Sequence, residues 1–205
     1  MNSSPIATLA GPPADMRARR EEPRDTVAVT VTFLRMDHPP MMPVAPIPGL
    51  TRTERVKGPA VPFYRFLYNT VGADYVWWLR RIMPDRDLTA LLRDTNIEIH
   101  VLYKDGAPAG FFELDARYGS TVNLSYFGLM PHMIGTGAGP GFLRQAIDAA
   151  WASRPRNITV NTCTADHPRA LPNYLRAGFK PLRSVRETWE VPVHLGLRIP
   201  DHLRG

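Results

Sequence analysis

The chain has one cysteine, Cys163, among its 205 residues. A lone thiol excludes an intramolecular disulfide and a thiolate metal cluster, and it suits a reducing compartment. No apolar run reaches the roughly 18 residues that a membrane-spanning helix needs. The first 26 residues lack the charged-then-apolar order of a secretory signal. These absences predict a cytoplasmic protein with no membrane partner.

Clustered charge is also missing. The formal net charge is +6, but the basic residues are dispersed along the chain. A nucleic-acid surface needs basic residues grouped together, so the sequence predicts no nucleic-acid partner. None of the six histidines has metal-ligand spacing to another, and with a single cysteine this predicts no metal site.

Hydrophobic periodicity predicts a flexible tail over 1–26, rich in proline and mixed charge, followed by one domain over 27–205. Strands are predicted at 26–36, 96–103, 107–118, 121–131, 157–163 and 184–193. A first helix is predicted over 61–71, with Phe63, Phe66 and Leu67 on one face, and a second is predicted to begin at the N-cap Asp74. Three more helices are predicted over 84–94, from the glycine loop to about Ser153, and around 169–177. Three meandering strands followed by one crossover predict an α/β fold with a mixed, largely antiparallel sheet.

The stretch MIGTGAGPGF, 133–142, places four glycines between a predicted strand and a predicted helix. Free N–H groups and partial positive charge at a helix N-terminus attract anions, and glycine lets the backbone approach them. A dinucleotide motif is excluded because Pro140 or Phe142 stands at its last glycine, and no Gly-Lys-Ser/Thr occurs for a P-loop. The candidate loop residues are Ile134, Gly135, Thr136, Gly137, Ala138 and Gly139.

The segment FGLMPHMIGTGAGPGFLRQAI resembles motif A of the GNAT superfamily of acyl-CoA N-acyltransferases. Pro131 lies two residues past the aliphatic Leu129, and Gly137 and Gly139 match the paired glycines. Ile134 stands where the family usually has Gln or Arg. The backbone donors of the loop are unaffected by that departure.

A second segment, HPRALPNYLRAGFKPL, resembles motif B of the same family. Tyr174, Gly178 and Phe179 match its tyrosine and its Gly-Phe pair, while His167 replaces the usual asparagine. The two motifs together make the resemblance specific over about residues 95–190.

The resemblance implies a GNAT-type fold, flanked by helices, with the sheet splayed where acetyl-CoA binds as cosubstrate. Backbone groups of Phe127 and Leu129 would bind the pantetheine arm as an added strand, the glycine loop would bind the pyrophosphate, and His167 would contact coenzyme A. Tyr174 matches the family's general acid, which would protonate the departing thiolate and also line the acyl-CoA site.

The general base is less defined by the sequence. Glu113 and Asp115 share one face of a predicted strand, and Glu113 is the candidate base, although a merely solvated carboxylate fits its pattern equally well. Asn123 on the next strand could orient a water or the amine. His132 as a base and an acyl intermediate on Cys163 are weaker alternatives.

The aromatic block FYRFLYNTVGADYVWW occupies the position where the GNAT fold builds its acceptor wall. Part of the block would be core, and Tyr68 and Trp78 are the candidate acceptor-binding residues, with the proline-rich loop 37–50 available to close the pocket. The favoured function is an N-acetyltransferase acting on a primary amine of a small molecule. A protein lysine or N-terminal acetyltransferase and a non-catalytic acyl-CoA sensor remain alternatives, and the resemblance leaves a homodimer open.

Overall fold

The computed structural model describes residues 22–41, 43 and 46–204. Residues 1–21, most of the predicted tail, lie outside the described residues. The strands are β1 (Arg24–Met36), β2 (Thr51–Val56), β3 (Ile97–Lys104), β4 (Ala107–Tyr118), β5 (Thr121–Leu129), β6 (Asn157–Cys163) and β7 (Lys180–Pro192). The helices are α1 (Val61–Val71), α2 (Leu79–Ile82), α3 (Asp85–Arg93), α4 (Ala138–Ala152) and α5 (Ala170–Arg176).

All seven strands form one sheet in the order β2-β3-β4-β5-β6-β1-β7. Every neighbouring pair is antiparallel except β5 and β6, which α4 connects as a crossover. The predicted mixed sheet with one parallel pair is therefore confirmed. The N-terminal strand β1 is inserted between β6 and β7, so both ends of the described chain contribute to the same half of the sheet.

The parallel pair β5 and β6 separates partway along its length. The two strands pair over four positions only, from Thr121↔Asn157 to Leu124↔Val160. The register of β4 and β5 shifts at the same point. Glu113 pairs with Tyr126, but the next residue, Leu114, pairs with Leu124, so Ser125 has no partner on β4. The extra residue Ser125 is a bulge, and bulges bend a strand away from its partner. From there to Leu129, β5 follows β4 and leaves β6.

Helices cover both faces of the sheet and define two main cores. On one face, α4 and α5 pack on a core that contains Phe112, Phe142 and Tyr174. On the other face, α1 and α3 pack on a core that contains Tyr64, Leu88 and Phe111. Among the described residues, no helix combines the length and apolar character needed to cross a bilayer.

Three sequence predictions are corrected by the structure. β1 begins at Arg24, so residues 24–26 belong to the sheet and not to a tail. β2 was not predicted, because its TRTERV sequence is polar and it pairs only with β3 at the sheet edge, where charged side chains are tolerated. On α1 the buried stripe is Tyr64, Leu67, Tyr68 and Val71, and Phe66 is 50% exposed.

The helix predicted from Asp74 is also wrong. Residues 73–76 form turns, Val76 has a positive φ of 56°, and α2 begins only at Leu79. Trp77 folds back onto Gly72, where a Cβ would lie 2.4 Å from the Trp77 Cβ. This side-chain contact, possible only over a glycine, replaces the expected helix with a tight turn.

Gly128 on β5 packs directly against Val71 of α1. A Cβ built there would lie 2.3 Å from Cγ1 of Val71, so Gly128→Ala should lower the free energy of unfolding by about 1–3 kcal/mol through overpacking. Gly139→Ala is the control, because its new methyl group meets open space and the φ of Gly139 is not positive. This variant should not lower the free energy of unfolding. Chemical denaturation measures both.

The contact itself is tested by adding Val71→Ala to Gly128→Ala. Because the smaller side chain makes room for the new methyl group, the double variant should lose less stability than the sum of the two single losses. Additive losses would contradict the close approach.

Candidate active site

A large cleft of about 2010 Å³ opens where β5 and β6 separate. Its lining includes Tyr174 and Leu143 from the α4–α5 face and Tyr68 and Trp77 from the α1–α2 face, so the cleft connects the two faces of the sheet. The backbone groups of β5 from Ser125 to Leu129 that face β6 have no strand partner there. Free strand edges of this kind pair with an extended ligand.

The glycine loop lies at the mouth of this cleft and begins α4. Gly135 and Gly137 have φ of 84° and 85°, a left-handed conformation that favours glycine. No side chain caps α4 and no acidic residue lies in its first turn, so the helix presents free N–H groups. No atom lies within 4 Å of a Cβ built at Gly135, Gly137 or Gly139. The loop therefore has the room and the donors for a phosphate group.

Most of the predicted acyl-CoA-binding residues line the cleft: Phe127, Leu129, Ile134, Gly135, Gly137, Gly139, His167 and Tyr174. Two of them do not. Ala138 is fully buried in the core beneath α4, and the Thr136 hydroxyl donates to the Met133 carbonyl at 2.8 Å. The Thr136 N–H also donates to the Met133 carbonyl, at 3.4 Å, so of these two residues only Ala138 retains a candidate donor, its backbone N–H.

Tyr174 lies on α5 with its ring edge-on to Phe127 and Phe179, at centroid distances of 6.5 and 5.8 Å. Burial raises the pKa of its hydroxyl well above the usual range, and the charge of Asp166 raises it further. The hydroxyl therefore stays protonated at neutral pH, as a proton donor to a departing thiolate must be.

Cys163 also lines the cleft, at the end of β6. Burial and the charge of Asp166 raise the pKa of its thiol to about 12. A thiol attacks acyl groups as the thiolate, and little thiolate exists at neutral pH under these conditions. The geometry disfavours an acyl-cysteine intermediate.

Glu113 is fully buried and does not line the cleft. Its Oε2 accepts the Tyr64 O–H at 2.5 Å, and its Oε1 accepts Nη2 of Arg80 at 2.8 Å. Both oxygens are occupied, and the carboxylate has no direct path to an acceptor. The structure therefore does not support Glu113 as a direct base, and its contacts assign it to holding Arg80, which the sequence did not single out.

Asn123 lines the cleft, but its amide is used within the sheet. Its Oδ1 accepts the Thr159 hydroxyl at 3.0 Å and its Nδ2 donates to Ser125 Oγ at 3.0 Å. The bond to Thr159 ties β5 to β6 just before the strands part, and the bond to Ser125 lies within β5. Asn123 is placed to maintain the branch point rather than to orient an amine.

The aromatic wall consists of Tyr68, Tyr75, Trp77, Trp78 and Tyr126, which all line the cleft. The Trp77 ring lies 5.3 Å from Tyr68 and 5.0 Å from Tyr126 between centroids. Both predicted acceptor residues, Tyr68 and Trp78, belong to this wall. Trp77 and Tyr126 at its centre were not predicted.

The described part of the loop 37–50 does not close the cleft. Of those residues only Asp37 lines the cleft, and Ile47 is buried in the core beneath α4. Nη2 of Arg144 on α4 donates to the Pro40 carbonyl at 3.2 Å. The described part of the loop is therefore attached at α4 and contributes no residue to the aromatic wall.

Asp166 is a cleft carboxylate that the sequence analysis did not select as a site residue. The N-cap of α5 is Arg169, so Asp166 does not cap that helix. Its Oδ2 accepts the Thr162 hydroxyl at 2.8 Å and the Cys163 N–H at 2.9 Å, and its Oδ1 faces Nε1 of Trp77 at 3.4 Å. The sequence did carry a signal for this residue, because Asp166 is a carboxylate three residues after the end of the strand 157–163, which borders the predicted site.

Comparison with solved structures agrees with this arrangement. A GCN5-related N-acetyltransferase from Kribbella flavida matches 85% of the chain at 16% identity with a TM-score of 0.54. An aminoglycoside acetyltransferase from an uncultured soil metagenomic sample matches 62% of the chain, and 87% of its own length, at 15% identity and a TM-score of 0.51. The chain has the GNAT fold.

A tandem GNAT protein from the clavulanic acid biosynthesis pathway covers 93% of the chain at 19% identity and a TM-score of 0.51. The chain spans 63% of the length of the Kribbella flavida protein and 61% of the tandem protein. No protein-family model and no curated protein sequence matches the chain. The GNAT relationship is therefore one of fold.

The Arg80–Glu113 pair should be needed to keep the wall in place. Glu113→Ala leaves the guanidinium of Arg80, whose side chain is 13% exposed, without its counter-charge, and we expect a loss of about 3–5 kcal/mol in the free energy of unfolding. Glu54→Gln, which removes the charge from the exposed Arg52–Glu54 pair, is the control and should cost no more than about 0.5 kcal/mol.

The double variant Arg80→Met/Glu113→Leu removes both charges and should lose less stability than Glu113→Ala. Urea denaturation of the four proteins compares these values. A loss below 1 kcal/mol for Glu113→Ala would contradict the buried pair.

Proposed function

We propose that the protein is an acyl-CoA-dependent N-acyltransferase that moves an acetyl group from acetyl-CoA to a primary amine of a small molecule. The observation that carries the proposal is the cleft between the separated strands β5 and β6, with the glycine loop and the free N-terminus of α4 at its mouth. The GNAT fold supports the same reaction class.

The parts of the cleft have distinct proposed tasks. The N–H groups of the glycine loop bind the pyrophosphate, and the free edge of β5 at Phe127 and Leu129 pairs with the pantetheine arm. The thioester then lies inside the opening, where Tyr174 donates a proton to the sulfur. The acceptor reacts as the free amine, after its ammonium form has lost a proton to water in the cleft. Its nitrogen then forms the new bond to the carbonyl carbon as the carbon–sulfur bond breaks, and the second proton lost by the nitrogen balances the one that Tyr174 gives to the sulfur.

The aromatic wall supports a small organic amine as acceptor. Tyr68, Trp77 and Tyr126 present closely packed rings to the cleft, and ligand pockets for small molecules are typically lined in this way. One of the structural neighbours is named as an aminoglycoside acetyltransferase, which adds aminoglycosides to the amines worth testing.

Binding of acetyl-CoA is tested by isothermal titration of Gly137→Glu. The new carboxylate would lie beside the phosphate-binding N–H groups, so we expect micromolar binding in the wild type and no measurable binding in the variant. Gly137→Ala is the control, because it carries the same backbone strain at a φ of 85° without the charge, and it should retain more binding. A folded wild type that binds no acetyl-CoA would refute the proposal.

The acid role is tested by Tyr174→Phe. The kcat should fall about 100-fold or more while the Kd for acetyl-CoA changes little, because the proton is needed only as the thiolate leaves. Release of coenzyme A thiol, measured with a panel of primary amines that includes an aminoglycoside, gives the rate. Tyr103→Phe is the control, because Tyr103 lies outside the cleft, and this variant should leave the kcat unchanged. An unchanged kcat in Tyr174→Phe would remove Tyr174 from the chemistry.

A further inference from the structure

Asp166 differs from the other aspartates that line the cleft. Asp37, Asp87 and Asp115 each pair with a neighbouring arginine, at 2.8, 3.1 and 2.7 Å. Within the part of the chain that the structure describes, no basic side chain forms an ion pair with Asp166. It is half-buried, and a carboxylate withdrawn from water usually has a cationic partner.

The carboxylate of Asp166 is held in one orientation. Two donors from the end of β6, the Thr162 hydroxyl and the Cys163 N–H, fix its Oδ2 at 2.8 and 2.9 Å. Oδ1 has only the long contact of 3.4 Å to Nε1 of Trp77. One oxygen is therefore anchored, and the other retains the capacity to accept a further hydrogen bond.

The groups around Asp166 are aromatic or neutral. Trp77 contacts it from the acceptor wall, and Tyr75 lies edge-on to His167 at 6.1 Å between ring centroids. Nδ1 of His167 accepts the Arg169 N–H at 3.1 Å. The charge of Asp166 raises the pKa values of Tyr75, Tyr174 and Cys163, in addition to the effect of their burial. All three groups are therefore neutral at pH 7, and none compensates the carboxylate.

We propose that Asp166 binds the ammonium group of the acceptor, and that the acceptor class is a cationic amine whose apolar body packs on Trp77 and Tyr75. The carboxylate supplies a charge-assisted hydrogen bond, and the ring faces attract a cation. This inference rests on the proposed acyl transfer, since it assigns the second substrate of that reaction to the same cleft.

The Arg80–Glu113 pair beside the aromatic wall cannot bind an ammonium group in this way. Glu113 is neutralised by Arg80 and lies outside the cleft. Arg80 is itself engaged by Glu113 and lies over the Tyr126 ring at 5.2 Å, so it offers no acceptor for an ammonium group. Asp166 lies at the end of β6, beside the opening that would hold the thioester. An ammonium group bound there is close to the acyl carbon, and its nitrogen attacks once it has lost a proton to water.

Tyramine and 4-ethylphenol are suitable probes, because they share an aromatic body and differ in the ammonium group. Each is titrated calorimetrically at pH 7 into the wild type, Asp166→Asn and Glu187→Gln, with and without saturating coenzyme A. Asp166→Asn keeps the shape and can retain the bonds to Thr162 and Cys163. Glu187, a cleft carboxylate on β7 that accepts Nε1 of Trp189 at 2.9 Å, is the matched control.

We expect the wild type and Glu187→Gln to bind tyramine at least 10-fold more tightly than 4-ethylphenol, and Asp166→Asn to lose this preference. A preference that survives in Asp166→Asn, or an absence of tyramine binding in the wild type, would overturn the inference. Acetyl-CoA is titrated separately into the same proteins.

The two proposals fail in different ways. Acetyl-CoA binding without charge-selective tyramine binding would retain acyl transfer and reject the role of Asp166. Selective tyramine binding that depends on Asp166, in a protein that binds no acetyl-CoA, would retain the cation site and reject acyl transfer.

Discussion

The separation of β5 from β6 is the constraint on which the rest of the site depends. β5 follows β4 as far as Leu129, and β6 follows β1 as far as Cys163, so each strand is held by the half of the sheet behind it. The bulge at Ser125 falls where the four-position pairing ends. An unpaired strand edge inside a protein is costly, and it is sustained here because it borders an open cleft.

The same separation connects side chains from opposite faces of the sheet. Tyr174 comes from the α5 face, Trp77 from the turn after α1, and Asp166 from the end of β6 between them. The turn can approach this closely because Gly72 and Gly128 leave space against Trp77 and Val71. Two glycines outside the glycine loop therefore set the position of the aromatic wall.

The features fixed by local sequence were predictable. β4 and β6, the helix after the glycine loop and the single parallel pair follow from alternation, glycine placement and chain order. What could not be predicted depends on contacts distant in sequence. The buried partner of Glu113 is Arg80, 33 residues away, and Asp166 meets Trp77 across 89 residues. The sequence of residues 72–78 has a pattern typical of a helix, but these residues form a turn because Trp77 packs on Gly72.

The buried Arg80–Glu113 pair has a consequence for the proposed chemistry. With Glu113 held by Arg80 and Tyr64, and the Cys163 thiol kept protonated, neither residue offers a base or a nucleophile at neutral pH. The arrangement therefore favours direct attack by the amine over an acyl-enzyme route. In that case the reaction depends on placing the amine and the thioester together in the opening, since orientation alone can supply a large part of a rate enhancement. In the proposed reaction, the aromatic wall and the Asp166 carboxylate at its edge place the acceptor, and water takes the proton that the ammonium group must lose before attack.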